Sequence, residues 1–130
     1  MAAVALLAAG CAQNATATGN SHVIVVRDNS NGKTMRVSVG DRLEVILASN
    51  YWNVDPSSSP AVLRRDGETT YLTPPSGCQP TSGLGCVPEQ TSFTALAAGT
   101  VVITANRTSC GEALACRPNQ SHFRLTVIVS

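Results

Sequence analysis

The constraint that narrows the fold most is a pair of β-rich runs at the end of the chain, Thr100 to Ala105 and His122 to Val129. In the second run Phe123, Leu125, Val127 and Val129 alternate with Arg124, Thr126 and Ile128, the period of a strand with one covered face. The segment between the runs carries Gly, Pro, Ser and Asn without helical periodicity, so together they read as an antiparallel hairpin with a long tip. A hairpin can bury one face only against a second layer, and the chain upstream has to supply it.

A length of 130 residues leaves room for one domain. The sequence is 43% hydrophobic but only 4% aromatic, so the core has to be built from Val, Ile, Leu and Ala, a usage that favours strands. With a net charge of +1 and 13% charged residues there is no basic stripe for phosphates, which excludes nucleic acid as a partner.

Upstream, His22 to Val26 and Thr34 to Val39 read as strands around the turn Asp28-Asn29-Ser30-Asn31-Gly32, and Leu43, Val45 and Leu47 alternate in the next. Ser30 to Lys33 fits S-x-x-K, and Asp28, Ser30 and Gly32 resemble part of a calcium loop. The first pattern needs a helix under its serine, and the second has its glycine one position early and no closing Glu, so both read as a hairpin turn. Ala61 to Leu72 supplies two more strands around Arg65-Asp66-Gly67, and Gln90 to Ala95 another. About seven or eight strands at this spacing describe an all-β, immunoglobulin-like Greek-key sandwich. In that order Leu43–Ala48 is strand B, Ala61–Arg65 C, Glu68–Leu72 D and Gln90–Ala95 E, and the closing hairpin is F and G.

The N-terminus adds a second level of organisation. Met1 to Gly10 is apolar, too short to span a bilayer, and ends in Ala8-Ala9-Gly10-Cys11, which resembles a bacterial lipoprotein signal with Cys11 as the acylated residue. Residues 1–10 are then a signal peptide, 11–21 a polar tether and 22–130 the sandwich domain. This places the domain outside the cytoplasm, in the cell envelope or secreted, with membrane contact only through a lipid on Cys11. The glycan-acceptor patterns at Asn14, Asn106 and Asn119 carry no function in such a setting.

Three segments stand apart from the strands. Ala48 to Pro60 holds Asn50, Tyr51 and the only tryptophan, Trp52, which is either the single core Trp of such sandwiches or a contact residue. Pro74 to Pro88 holds Cys78, Leu84 and Cys86, and the tip of the closing hairpin holds Cys110, Cys116, Arg117, Pro118 and Asn119. Four cysteines besides Cys11 allow three pairings. The local one, Cys78 with Cys86 and Cys110 with Cys116, pinches each loop at its base; a zinc site is the alternative, although the spacings are wider than C-x-x-C. As B–C, D–E and F–G connections the three segments emerge at one end. A rigid loop loses less entropy on binding, so Asn50, Tyr51, Trp52, Leu84, Arg117, Pro118 and Asn119 form a candidate surface for a protein partner. The plainer reading is that bridges stabilise a domain with a small aliphatic core.

Catalysis finds little support. His22 and His122 open strands, neither beside a nucleophile, and there is no G-x-S-x-G, H-E-x-x-H or phosphate-cradling loop. Glu89 and Glu112 are the only carboxylates in the cysteine-bearing loops, and nothing marks them as a pair. The expectation is a monomeric, non-catalytic binding domain without a cofactor.

Val-Ser-Val-Gly-Asp-Arg-Leu-Glu-Val-Ile-Leu from Val37, Gly-Thr-Val-Val-Ile-Thr-Ala-Asn-Arg from Gly99, and Arg117-Pro118 followed by Phe123 to Val129 resemble strand B, strand F and the F–G region of the chagasin-like inhibitors of papain-type cysteine proteases. The resemblance implies the same sandwich, a protease as partner, and inhibition through the loops. Where that family carries N-P-T-T-G, this chain has Ser49-Asn50-Tyr51-Trp52; the Cys78 to Cys86 segment replaces a glycine-rich motif, and Asn119 replaces the aromatic after Arg-Pro. Leu96 to Ala105 is also similar to repeats of bacterial Ig-like surface domains, which implies an envelope adhesion or structural module with an envelope protein as partner.

Overall fold

Alternation along the strands is met by two sheets facing one another across a single core in the computed structural model, which describes residues 21–79, 85–111 and 114–130. Among these residues eleven strands follow in order: β1 Val23–Val26, β2 Thr34–Val37, β3 Arg42–Leu47, β4 Asn53–Val54, β5 Leu63–Arg65, β6 Thr70–Tyr71, β7 Glu89–Ala95, β8 Gly99–Asn106, β9 Ser109–Gly111, β10 Leu114–Ala115 and β11 His122–Val129. One sheet runs β1-β3-β7, with β5 and β6 sharing the far edge of β7; the other runs β2-β11-β8-β4. The fold class is the all-β, immunoglobulin-like sandwich read from the sequence.

The closing hairpin is fully paired, from His122 opposite Asn106 to Val129 opposite Gly99. Its alternation is realised as drawn: Phe123, Leu125, Val127 and Val129 are buried, and with Val101, Ile103, Leu43, Val45, Leu47 and Phe93 they make one core. Each is a β-branched, aliphatic or aromatic side chain on the inner face of a strand, where removal of apolar surface from water outweighs the entropy of ordering it.

Two details differ from the sequence reading. Asp28 to Gly32 does not close a hairpin: β1 pairs parallel to β3 in one sheet and β2 pairs parallel to β11 in the other, so the segment is a crossover between sheets, begun by a single 3-10 turn at Asp28–Ser30. Its polar side chains fasten it to both layers. Asp28 Oδ2 accepts from the Ala48 N–H at 3.0 Å, while Asn31 donates to the His122 carbonyl at 3.2 Å and accepts from the Arg124 N–H at 2.9 Å. Turn chemistry alone could not reveal that the two flanking strands lie in different sheets.

Strand C is also elsewhere. Leu63–Arg65 pairs with β7 in the B–E sheet and so takes the D position, whereas C is the two-residue β4 on the edge of β8. Two residues show no alternation, and Asp55 and Pro56 stop the strand at once. Asp55 Oδ2 accepts from the Thr104 hydroxyl at 2.9 Å and the Asn106 amide at 3.3 Å, which ties the short strand to its neighbour by side chains.

The end where β3 begins is closed by Asp41. Buried at 4% exposure, its carboxylate accepts from the Ser38 N–H at 2.8 Å and the His22 N–H at 3.1 Å, holding the β2–β3 turn against the start of β1. The Ser38 amide is the main cause that holds the Asp41 carboxyl below its ordinary value, against the opposing effect of burial, and the His22 amide adds to it.

Candidate functional site

Register places three loops at the opposite end. Leu47 and Tyr71 both lie opposite Glu89, and Asn53 and His122 both lie opposite Asn106. The connections 48–52, 72–88 and 107–121 therefore leave the sandwich side by side. The F–G expectation stands, the D–E connection starts from β6 within the expected D strand, and the B–C loop is only five residues, 48–52, because β4 follows it.

The two bridges are the local ones. Cys78 and Cys86 are joined with Cα atoms 5.8 Å apart, and Cys110 and Cys116 with Cα atoms 4.9 Å apart, so these four sulfurs are committed to disulfides and not to a metal. Inside 107–121 the chain is also held by hydrogen bonds. The Arg107 N–H donates to the Ser121 carbonyl at 3.0 Å, Arg107 Nε to the Gln120 carbonyl at 2.8 Å, and the Cys116 N–H to the Thr108 carbonyl at 3.1 Å, while β9 and β10 pair with each other. Pro118–Gln120 forms a 3-10 turn whose proline suits its first position, and the Arg117 N–H donates to Gln120 Oε1 at 3.1 Å. The exposed segment Arg117, Pro118 and Asn119, which leads into β11, is thus held in place.

The aromatic loop is built differently. Tyr51 is half-buried, its N–H donates to Ser49 Oγ at 3.2 Å, and its ring packs on Gly85 beside the Cys86 bridge. Gly85 has φ +64°, and a side chain there would run into the Tyr51 ring, so both conformation and space demand glycine. Trp52 is 7% exposed and lies beneath the surface rather than on it, with the Arg107 guanidinium 4.3 Å from its ring centroid. Of the sequence candidates, the structure brings Asn50 and Tyr51 to the same end as Arg117, Pro118 and Asn119, and puts Trp52 under them as support. Leu84 and Cys11 lie outside the described residues, as do residues 1–20 as a whole.

Sequence reasoning missed Gly85 and Arg107 here, and took Glu89 for a loop carboxylate where it is a buried residue of β7. Glu89 was detectable by parity, since it shares the inward face of Thr91, Phe93 and Ala95. It is 2% exposed and its Oε1 receives no hydrogen bond from a described residue. Burial raises its carboxyl to about 7, and the nearby Arg65 guanidinium only partly opposes this. Asn50 Oδ1 and Trp52 Nε1 are likewise buried without partners, so all three such side-chain atoms among the described residues sit at the loop end. Unmet polar groups collecting at one end mark the place where folding is not the only demand on the sequence.

No protein-family model matches the sequence, and no curated protein matches it at a significant level. Solved structures do share its fold. The chain is similar to the cysteine protease inhibitor EhICP2 of Entamoeba histolytica with a TM-score of 0.60 at 14% identity, covering 85% of this chain and 98% of that one. It is similar to amebosin with a TM-score of 0.56 at 21% identity, covering 84% and 98% respectively. The likeness spans nearly the whole of each neighbour and belongs to the fold.

Proposed function

We propose that this protein is a non-catalytic binding module that inhibits a papain-type cysteine protease by seating its three-loop end in the protease cleft. The observation that carries the reading is the convergence of loops 48–52, 72–88 and 107–121 on one end of the sandwich, two of them closed by a disulfide. The fold it shares with a cysteine protease inhibitor supplies the class of partner. The exposed Arg117-Pro118-Asn119 turn and the half-buried Tyr51 put an arginine and an aromatic at the loop end, the residue types that dominate contact energies. Two disulfides require an oxidising compartment, consistent with an extracytoplasmic protein tethered through Cys11; an intact mass of the membrane-extracted chain tests the lipid.

The test is a titration of the oxidised full chain against papain, with the reduced chain beside it. Tyr51→Ala combined with Arg117→Ala should weaken inhibition at least about 100-fold, as loss of two central contacts does, and Arg117→Ala alone, at an exposed position, should leave the melting temperature nearly unchanged. Trp52→Ala should instead lower stability by about 3 kcal/mol or more, because the ring is core. Absence of inhibition at micromolar protein would overturn the inhibitor reading and return the chain to the envelope adhesion or structural class.

A further inference from the structure

On the flank of the loop end the two sheets part. Between β4, the edge of one sheet, and the β5–β6 edge of the other lies a cavity of about 230 Å³ whose floor includes Glu89. Glu68, Tyr71 and Asn53 also line it. Its walls are almost wholly polar, and acceptors prevail: two carboxylates face a single cation, Arg65. That cation is already engaged, since Arg65 Nε donates to the Gly67 carbonyl at 3.1 Å, one terminal nitrogen to the Val54 carbonyl, and the other to Thr69 Oγ1 at 3.0 Å. Arg65 therefore opposes the raised carboxyl of Glu89 only in part and leaves it largely unanswered.

The unanswered group is the unusual one. A carboxyl at 2% exposure with an oxygen that no described residue hydrogen-bonds is costly to keep, and the β7 pattern would accept Leu or Val at the same inward position. We propose that this cavity is a binding site for a small organic cation, an ammonium or guanidinium group on an aliphatic stem, held by the Glu89 carboxylate with Glu68 at the rim. The cation supplies the donors Glu89 lacks, and the exposed Tyr71 is an aromatic lining the same cavity. Burial raises the Glu89 carboxyl, and an arriving cation favours its ionised form. The source can be a free amine or the Lys or Arg side chain of a protein. The site is separate from the Arg117 turn and does not depend on protease inhibition.

Trp52 also lines the cavity and is the only tryptophan, so its single indole N–H signal reports on occupancy. The oxidised full chain is titrated with n-butylammonium and n-butylguanidinium, with butyrate and n-butanol as controls. The expected result is a saturable shift with both cations and none with the controls. In Glu89→Gln, which keeps the shape and folds without a buried charge, affinity falls about tenfold or more, as for loss of a charged hydrogen bond. In the exposed Glu68→Gln it falls about threefold, and in Glu44→Gln, on a different strand, it is unchanged. A peptide with one lysine, compared with its norleucine analogue, separates the sources: binding at least about tenfold tighter than butylammonium assigns the site to a protein side chain, and equal binding to a free amine. No saturable shift with either cation, an equal response to butyrate, or undiminished affinity in Glu89→Gln overturns the proposal.

Discussion

Loops 72–88 and 107–121 use the same device to different depths. Each has a disulfide across a short span, eight and six residues apart in sequence. Between its cysteines and around them, 107–121 adds a strand pair, a 3-10 turn and hydrogen bonds from Arg107 and Arg117. Among the described residues of 72–88 the backbone hydrogen bonds are Leu72 N–H to the Pro88 carbonyl at 2.8 Å and Cys78 N–H to the Pro75 carbonyl at 3.0 Å, and five prolines and glycines interrupt any ladder. What else fixes this loop is a contact, the Tyr51 ring on Gly85. A bridge fixes where a loop begins and ends; hydrogen bonds fix what it presents. Among the described residues the F–G loop has both in number, whereas those of the D–E loop show its bridge, two backbone hydrogen bonds and the Tyr51 contact.

The largest effect should come from breaking the more dependent loop. In Cys78→Ser/Cys86→Ser the constraint on 72–88 is gone and Tyr51 loses its seat, so inhibition of papain should weaken on the order of 100-fold, from several backbones that must now be ordered on binding. Cys110→Ser/Cys116→Ser should cost less than about tenfold, because the hydrogen bonds remain. Stability should fall by a similar roughly 2 to 3 kcal/mol in both, since the closed loops are nearly equal in length. Inhibition constants and denaturant midpoints measured on the same samples separate the two quantities. Equal losses of inhibition would show that the bridge, not the hydrogen bonding, shapes both loops.

The second effect is one of pH, and it falls on the same loop because Glu89 stands at its C-terminal base, opposite Leu47 and Tyr71. An acid raised from 4.5 to about 7 binds more protons in the folded than in the unfolded state between those values. Its stabilising contribution is therefore complete below about 4.5 and lost as pH rises through about 7, on the order of 3 kcal/mol in all. The melting temperature should drop by on the order of 10 °C between mildly acidic and mildly alkaline buffer, and Glu89→Gln should flatten that slope. Asp41, at the other end, acts with the opposite sign. Its lowered carboxyl stabilises above its ordinary 3.8 and is lost as pH falls through the folded value. Asp41→Ala should cost roughly 1 to 3 kcal/mol at neutral pH, from two amides left without their acceptor, and leave inhibition untouched.

How far the sequence could be read follows from range. The alternation of Phe123, Leu125, Val127 and Val129 is local and repeats, so one face of a strand and hence a second sheet could be inferred from it alone. The local cysteine pairings were legible for the same reason. Contacts between distant segments were not: nothing near Gly85 announces Tyr51, and nothing near Trp52 announces Arg107. Boundaries failed by small steps with large consequences. Starting strand E at Gln90 instead of Glu89 left a buried carboxyl in a loop, and a two-residue strand C gave no period to detect, so its letter fell on Leu63–Arg65 instead.

The smallest effect tests whether the F–G loop is held from within. Arg107 spans the loop base, donating through Nε to the Gln120 carbonyl at 2.8 Å while its guanidinium covers the Trp52 ring at 4.3 Å. Arg107→Ala removes a hydrogen bond and a cation–π contact, about 1 kcal/mol each, and Arg107→Lys keeps the charge over the ring but loses the planar donor. Arg107→Ala alone should weaken inhibition only about threefold to tenfold, because the Cys110–Cys116 bridge still closes the loop. Placed in the Cys110→Ser/Cys116→Ser background it should cost more than in the parent chain, since bridge and hydrogen bonds each restrain what the other leaves free. Strict additivity in that cycle would mean that the two act on separate parts of the loop, and the contrast with 72–88 would then rest on the Tyr51 contact alone.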